Sequence, residues 1–319
     1  MNIEYCKIRT LPPRSFVGLS SFRHLSIEKF NSEWSAILLD IDYEAFVGLS
    51  KLKSIRLSNN NIFRTPAKLF CPLSSIEMVD LRHNRLVDLE DLGLSNRTSA
   101  QCPVNLRTLS VSHNSLRALT PGFLASTSLL TSLIANNNHV AVLDRTALQG
   151  LALLQVIDLS SNRLAALPPD LFRDNADLRE INLANNSIGT IHLSVFRNLT
   201  KLERLDLSRN RLDENWIKED MFSDLTALKV LDLSHNHLKS VDDSLLQKLV
   251  HLTFLDLSHN RLQTLGSQAL MSLSRLDTLH ISHNQVESLA QLALSASHQL
   301  KILSLDNNKL QSLHPDIFR

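Results

Sequence analysis

Glycine is scarce, with seven residues in 319. No glycine-rich phosphate loop can be built from them, and neither G-x-S-x-G nor H-E-x-x-H occurs. These absences argue against an enzyme. Net charge is +1, and no basic run or aromatic-basic interleaving is present. Bulk electrostatic attraction to nucleic acid is therefore not expected. No apolar run approaches the roughly 20 residues that a membrane span needs. Met1 is followed at once by Asn-Ile-Glu-Tyr-Cys, which is not a signal peptide. Cysteine is limited to three residues, Cys6, Cys71 and Cys102.

What the chain does have is a period. The template L-x-x-L-x-L-x-x-N-x-L starts at Leu52, Ile76, Leu106, Leu130, Leu154, Leu178, Leu202, Leu228, Leu252, Leu276 and Leu300. Its ninth position is Asn in all eleven repeats, from Asn60 to Asn308. Eight of the ten intervals are 24 residues, and the exceptions are 30 and 26. Positions 4 and 6 are apolar between polar neighbours, as in Leu231-Asp232-Leu233. That alternation predicts a strand with one buried face. One short strand cannot bury a face alone, but stacked copies form a parallel sheet over a continuous core. The Asn residues then line up where the chain leaves the sheet. Their buried amides need partners, which the backbones of neighbouring coils can supply.

The second half of each repeat is periodic too. Phe46, Phe70, Phe172, Phe196, Phe222 and Phe318 occupy the nineteenth position or its equivalent in longer repeats. Leu94, Leu124, Leu148, Leu246, Leu270 and Leu294 occupy it elsewhere. They predict a spine packing a convex side built of loops and short helical turns. The whole pattern resembles the leucine-rich repeat. That resemblance implies an α/β solenoid, curved into a horseshoe with its parallel β-sheet on the concave face. Residues 1–319 read as one such domain of about thirteen coils, irregular over 1–51 and regular over 52–319. Neither end shows a cysteine-rich cap, so the expectation is a piece truncated at both ends.

Cys71 and Cys102 lie late in consecutive repeats. Adjacent coils stack roughly 5 Å apart, compatible with a disulfide's Cα separation of about 4.4–6.8 Å. Free thiols, as in a cytosolic protein, are the alternative. Cys6 replaces a ladder Asn, which predicts a buried thiol, with a lost upstream partner as the other reading. Three N-x-[ST] sequons, at Asn96, Asn185 and Asn198, are candidate glycosylation sites. Asn96 and Asn198 map to the convex side and Asn185 to the strand exit. Cysteine pair and sequons together point outside the cell.

Positions 2, 3, 5, 7 and 8 point to the concave face or its rim. Position 5 reads Asp158, Asn182, Asp206, Asp232 and Asp256 in five consecutive repeats. Such a negative column suits a basic protein partner; alternatively, Asp is simply frequent in this repeat type. Position 3 carries Val156, Val230, Phe254 and Ile302, with Phe254 the candidate interface anchor or a scattered surface apolar residue. Position 8 carries His83 and His113, then His235, His259 and His283 in three successive repeats. The last three predict a column whose joint protonation makes a pH-sensitive edge, against a bland reading as solvated filling. Three His in a line on one sheet do not surround a metal tetrahedrally, so no metal site and no cofactor is expected. Trp216, in the 26-residue repeat, either caps the neighbouring coil or faces a partner.

The stretch from Leu69 to Leu116 contains Cys71, Leu92-Gly93-Leu94 and Cys102. It resembles the early repeats of Toll receptor ectodomains, most of all the long insect-type Tolls. The resemblance implies a type I membrane receptor at the cell surface. Its ectodomain would bind a protein ligand, such as a cystine-knot cytokine, or another receptor ectodomain. Homo- or heterodimerisation would then signal through a cytoplasmic TIR domain. A cell-adhesion or matrix protein without such signalling is the runner-up.

Overall fold

A computed structural model describes the chain except residues 5, 29–36, 90, 91, 93, 95–104, 217–220, 242, 265–269, 290–293, 314–316, 318 and 319. Internal contacts divide it into two compact units, Met1–Arg163 and Leu164–Arg319.

Each unit is a stack of parallel strands, and the strand of each regular repeat covers positions 3 to 5. In the first unit the order is Asn2–Glu4, His24–Glu28, Ser54–Arg56, Met78–Asp80, Thr108–Ser110, Ser132–Ile134 and Val156–Asp158. In the second it is Glu180–Asn182, Arg204–Asp206, Val230–Asp232, Phe254–Asp256, Thr278–His280 and Ile302–Ser304. Register is repeat onto repeat, so equal template positions face one another: Leu205 opposite Leu231, Leu231 opposite Leu255. The reason is the period-two pattern. Sliding one strand by a residue would turn its buried leucine to solvent.

The interior holds positions 1, 4, 6 and 11. Leu202, Leu205, Leu207 and Leu212 are all fully buried, as are Leu228, Leu231, Leu233 and Leu238. The predicted spine is present among the described residues. Phe46, Phe70, Phe172, Phe196 and Phe222 are at most 1% exposed, and Leu124, Leu148, Leu246 and Leu270 match them. Ring centroids of Phe172 and Phe196 lie 6.4 Å apart, and those of Phe196 and Phe222 5.7 Å. Phe318 falls outside the described residues. The far side of the coils is turns and two-stranded parallel ribbons, with one four-residue helix, Asp243–Leu246, among the described residues.

The asparagine ladder is a repeating hydrogen-bond device. In Asn210, Nδ2 donates to the carbonyls of Leu183 in the preceding coil and of Leu207 and Ser208 in its own, each at 3.0 Å. Its Oδ1 accepts the Ile188 N–H at 3.0 Å. The same set recurs at Asn236, Asn260 and Asn284. In the first unit it recurs at Asn114, Asn138 and Asn162. One amide thus closes its own turn and staples it to the coil before.

One expectation changes. Cys6 is exposed, not buried, and its Sγ donates to the Glu4 carbonyl at 3.2 Å. It stands in the first coil, where no earlier described coil encloses the ladder position. Trp216 is only 3% exposed and packs on Phe222 at 6.0 Å. Trp216 thus takes the first of its two readings, packing within the coils, and its Nε1 has no hydrogen-bond acceptor.

Candidate protein-binding face

The open face of the sheet carries positions 3 and 5. In the second unit, register places Asp206 opposite Asp232 and Asp232 opposite Asp256, a straight column of three carboxylates. Asn182 precedes it opposite Asp206, and His280 follows opposite Asp256. Asp158 stands in the first unit opposite Ile134.

Each carboxylate has a local task. Oδ1 of Asp206, Asp232 and Asp256 accepts the backbone N–H two residues on, from Ser208, Ser234 and Ser258, at 2.8 to 2.9 Å. Asp158 does the same for Ser160 at 2.9 Å, and Asn182 for Ala184 at 3.1 Å. This is an Asx-turn that ends the strand. It explains the residue type without a partner, because Asn works as well as Asp. The charge is the surplus. Asp206, Asp232 and Asp256 have no cation within salt-bridge distance among the described residues. Burial pushes the Asp232 carboxyl up to about 6, with Asp206 and Asp256 adding to the rise while the bonds from Ser234 oppose it.

A test of that cost follows. Asp232 binds its proton more tightly folded than unfolded, where the pKa is about 3.9. The column therefore costs stability at neutral pH, and the cost is relieved as pH falls from about 6 towards 4. Asp232→Asn keeps the turn acceptor and removes the charge. It is expected to raise unfolding stability at pH 7 by about 1–2 kcal/mol, less than the bare shift implies because solvent screens the group. Urea unfolding at pH 7 and pH 4 should show the gain at the first and not at the second.

Beside the column, Val230 and Phe254 are half-buried neighbours in register. The Phe254 ring meets His280 edge-on at 5.7 Å, and His280 Nδ1 is 2.8 Å from Ser304 Oγ. Ile302 on the last strand is 50% exposed. Phe254 is thus a half-buried ring on the open face, held against His280 on one side. His280 was not evident from sequence as a site residue. Its signal was a departure, His where five repeats carry Asp or Asn. Along the flank, position 2 alternates in sign. Glu203 Oε1 meets Arg179 at 3.0 Å and its Oε2 meets Lys229 at 2.6 Å, while Asp277 meets Lys301 at 2.7 Å.

In the first unit the face dips into a depression of about 410 Å³ lined by Asp80, Arg82, His83, Ser112, His113 and Asn136 among others. Asp80 is 2% exposed and is clamped by the Arg82 guanidinium at 2.7 to 3.1 Å. No group of three His, Cys, Asp or Glu among the described residues is placed to hold a metal.

The histidine column exists and is tighter than the coil spacing. His235 and His259 stack with centroids 4.1 Å apart, His259 and His283 at 4.2 Å, and His83 and His113 at 4.1 Å. The cause lies in the backbone. Position 8 has positive φ in all eleven regular repeats, from 53° at Arg209 to 59° at Asn59. Asn and His tolerate that region better than most residues. Burial lowers the His235 pKa below its usual value, followed by Arg209 and His259. In His83 burial again leads, followed by His113 and Arg82.

Cys71 is disulfide-bonded, while Cys102 and Asn96 lie outside the described residues. Asn185 and Asn198 are both exposed. Asn185 belongs to the position-8 row and Asn198 to a turn on the far side.

The signature described as leucine rich repeat matches residues 34–86, 104–164, 153–212, 216–262, 226–286 and 274–319. The chain belongs to the leucine-rich repeat family. Among curated relatives, Toll-like receptor 7 of Drosophila melanogaster is 30% identical over 124 residues. That match covers 37% of this chain and only 9% of the relative. Among solved leucine-rich repeat structures, one similar chain comes from an octameric complex of Latrophilin 3, Unc5D and FLRT2. It is 28% identical with a TM-score of 0.69, covering 81% of this chain and 76% of that one. The Drosophila Toll–Spätzle complex shares the fold at 21% identity and a TM-score of 0.58, with 96% of this chain and 47% of that one covered. A Leptospira interrogans leucine-rich repeat protein does so at 20% identity and 0.66, covering 99% and 91%. No described helix is long and apolar enough to cross a membrane.

Proposed function

We propose that this chain is the extracellular ligand-recognition part of a Toll-like receptor, a non-enzymatic binding module. The observation that carries the binding role is the pairing of two features on one sheet face. A half-buried aromatic ring at Phe254, next to Val230, lies beside three carboxylates that no cation of the described residues neutralises. A partner that places an apolar side chain on Phe254 and a Lys or Arg against Asp232 relieves the mutual repulsion of the column. Its class is a secreted cystine-knot cytokine or a second receptor ectodomain. The similarity to Toll-like receptor 7 supports the Toll assignment, and receptor dimerisation is the proposed means of signalling.

The 24-residue step from Asn162 to Asn186 keeps the period across the boundary of the two units. We read the chain accordingly as one repeat domain. The bonded state of Cys71 supports its proposed pairing with Cys102, and the exposure of Asn185 and Asn198 supports glycosylation there. A second reading is cell adhesion without TIR signalling, to which the FLRT2-containing complex lends the example of a similar leucine-rich repeat chain assembled with other proteins. The full-length sequence separates them, since a TIR domain after a membrane span selects the receptor.

Capture tests the face itself. Phe254→Ala combined with Asp256→Asn removes ring and charge while keeping the Asx-turn acceptor. Recovery of secreted cystine-knot ligands and receptor ectodomains by the immobilised variant should fall at least about tenfold, the loss of roughly 1.4 kcal/mol. Unchanged recovery moves the interface off this face.

A further inference from the structure

We propose that the strand-exit edge of the second unit binds a sulfated polysaccharide, and that acidification strengthens the binding. The edge is made by template positions 8 and 10, which flank the buried asparagines. Position 8 reads Asn185, Arg209, His235, His259, His283 and Asn307. Position 10 reads Ser187, Arg211, His237, Arg261, Gln285 and Lys309. Neither row contains a carboxylate. Arg209, Arg211, Arg261 and Lys309 are exposed and form no ion pair among the described residues. Lys239, two positions further along its coil, is by contrast neutralised by Glu214 at 2.6 Å.

The spacing suits an extended polyanion. Backbone bonds hold each row in line, as from the His235 N–H to Ser258 O and from the Arg261 N–H to Leu238 O, both 2.9 Å. Coils recur at roughly 5 Å along the stack, so the fixed cations Arg211, Arg261 and Lys309, each two coils from the next, stand roughly 10 Å apart, and the two rows lie within about 7 Å of each other. Guanidinium groups bind such oxyanions through paired N–H donors. Among the described residues, positions 8 and 10 of the edge carry no Phe, Tyr or Trp for base stacking, which single-stranded nucleic acid would use. The choice of a polysaccharide rests on the extracellular reading above; the charge geometry does not.

Histidine supplies the pH dependence. In the stack, the rings of His235, His259 and His283 pack face to face. Arg209 Nη2 lies 3.4 Å from His235 Nε2, and Asn307 Nδ2 lies 3.2 Å from His283 Nε2. Among the carboxylates beside the rows are Asp306, 3.9 Å from His283, and Asp256, whose charge favours the protonated form of His235. Asp213, Glu214 and Glu287 lie further along the coils. Protonating adjacent rings costs repulsion, and sulfates lying over the rows offset it.

The experiment is surface plasmon resonance on heparin at pH 7.4 and 5.5 with the whole chain. Binding is expected at both, at least about fivefold tighter at 5.5. Arg211→Gln with Arg261→Gln should weaken it about tenfold at either pH. His235→Asn, His259→Asn and His283→Asn together keep a residue type that already holds this positive φ at Asn137, Asn185 and Asn307. They should remove most of the pH increment, His237 keeping the rest; an undiminished increment overturns the role of the column. Arg145→Gln with Arg173→Gln removes two exposed cations elsewhere and should change nothing. Absence of heparin binding, equal loss in that control, or equal affinity for duplex DNA or phosphatidylserine vesicles overturns the proposal. None of these outcomes bears on capture through Phe254.

Discussion

Asn210→Ala is expected to lower unfolding stability by about 3–5 kcal/mol, although it removes only a small polar side chain. The substitution orphans the Ile188 N–H, which is bonded to Asn210 Oδ1 at 3.0 Å in a buried setting. The carbonyls of Leu183, Leu207 and Ser208 each lose one of two donors, keeping Asn186 Nδ2, Asn236 Nδ2 and the Asn185 N–H, and each lost bond costs about 0.5–1.5 kcal/mol. Each buried group left unpaired costs about 1–3 kcal/mol, and no bulk water reaches a residue that is 5% exposed. Asn210→Asp should be worse than alanine at pH 7. A carboxylate can accept from Ile188 but presents negative charge to three carbonyl oxygens. Its pKa would be raised in the folded state, so stability should recover as pH falls through that value. Urea unfolding at pH 7 and pH 4 reads both effects. A loss under 1 kcal/mol for alanine would show that the ladder amide does not hold the coil.

The ladder was legible because a turn of this shape accepts one side chain. Asn supplies the donors and the acceptor with the right reach, and its identity repeats at every coil. The Phe and Leu spine was legible for the same reason, since a buried slot of fixed volume recurs. The rows on the open face were legible as rows, but the reason for their residue types was not. Asp at position 5 and His at position 8 look like a site in the sequence. In the structure the first closes an Asx-turn at Ser208, Ser234 and Ser258. The second answers a positive φ that all eleven regular repeats share. Backbone demand selects the residue type, and function can use only what is left over, such as uncompensated charge. That surplus depends on which neighbours fail to pair, as with Arg211 and Arg261 against Lys239. Pairing across coils is set by side-chain reach, so a single repeat does not display it. Cys6 failed for a related reason, because its burial depends on an enclosing coil and not on its template position.

Phe196→Ala should have an effect of similar size by a different route. Its ring is fully buried between Phe172 at 6.4 Å and Phe222 at 5.7 Å, and Trp216 lies against Phe222 at 6.0 Å. Deleting a core phenylalanine costs about 3–5 kcal/mol, the higher figure where the cavity cannot collapse. Here collapse is resisted because the ladder and the strand register fix the coils on either side. In a stacked repeat, stability is the sum of each coil and its contacts with the next. Weakening one internal contact should therefore cut cooperativity as well as stability. The unfolding curve is expected to move to lower urea and to broaden or split, as the coils before and after Phe196 melt separately. Phe196→Leu should cost only about 1–2 kcal/mol, because Leu148, Leu246 and Leu270 already fill the same slot, fully buried, in other coils. Circular dichroism across a urea series reads midpoint and slope together. A single sharp transition for Phe196→Ala, shifted no further than for Phe196→Leu, would mean that the ring is not what couples neighbouring coils.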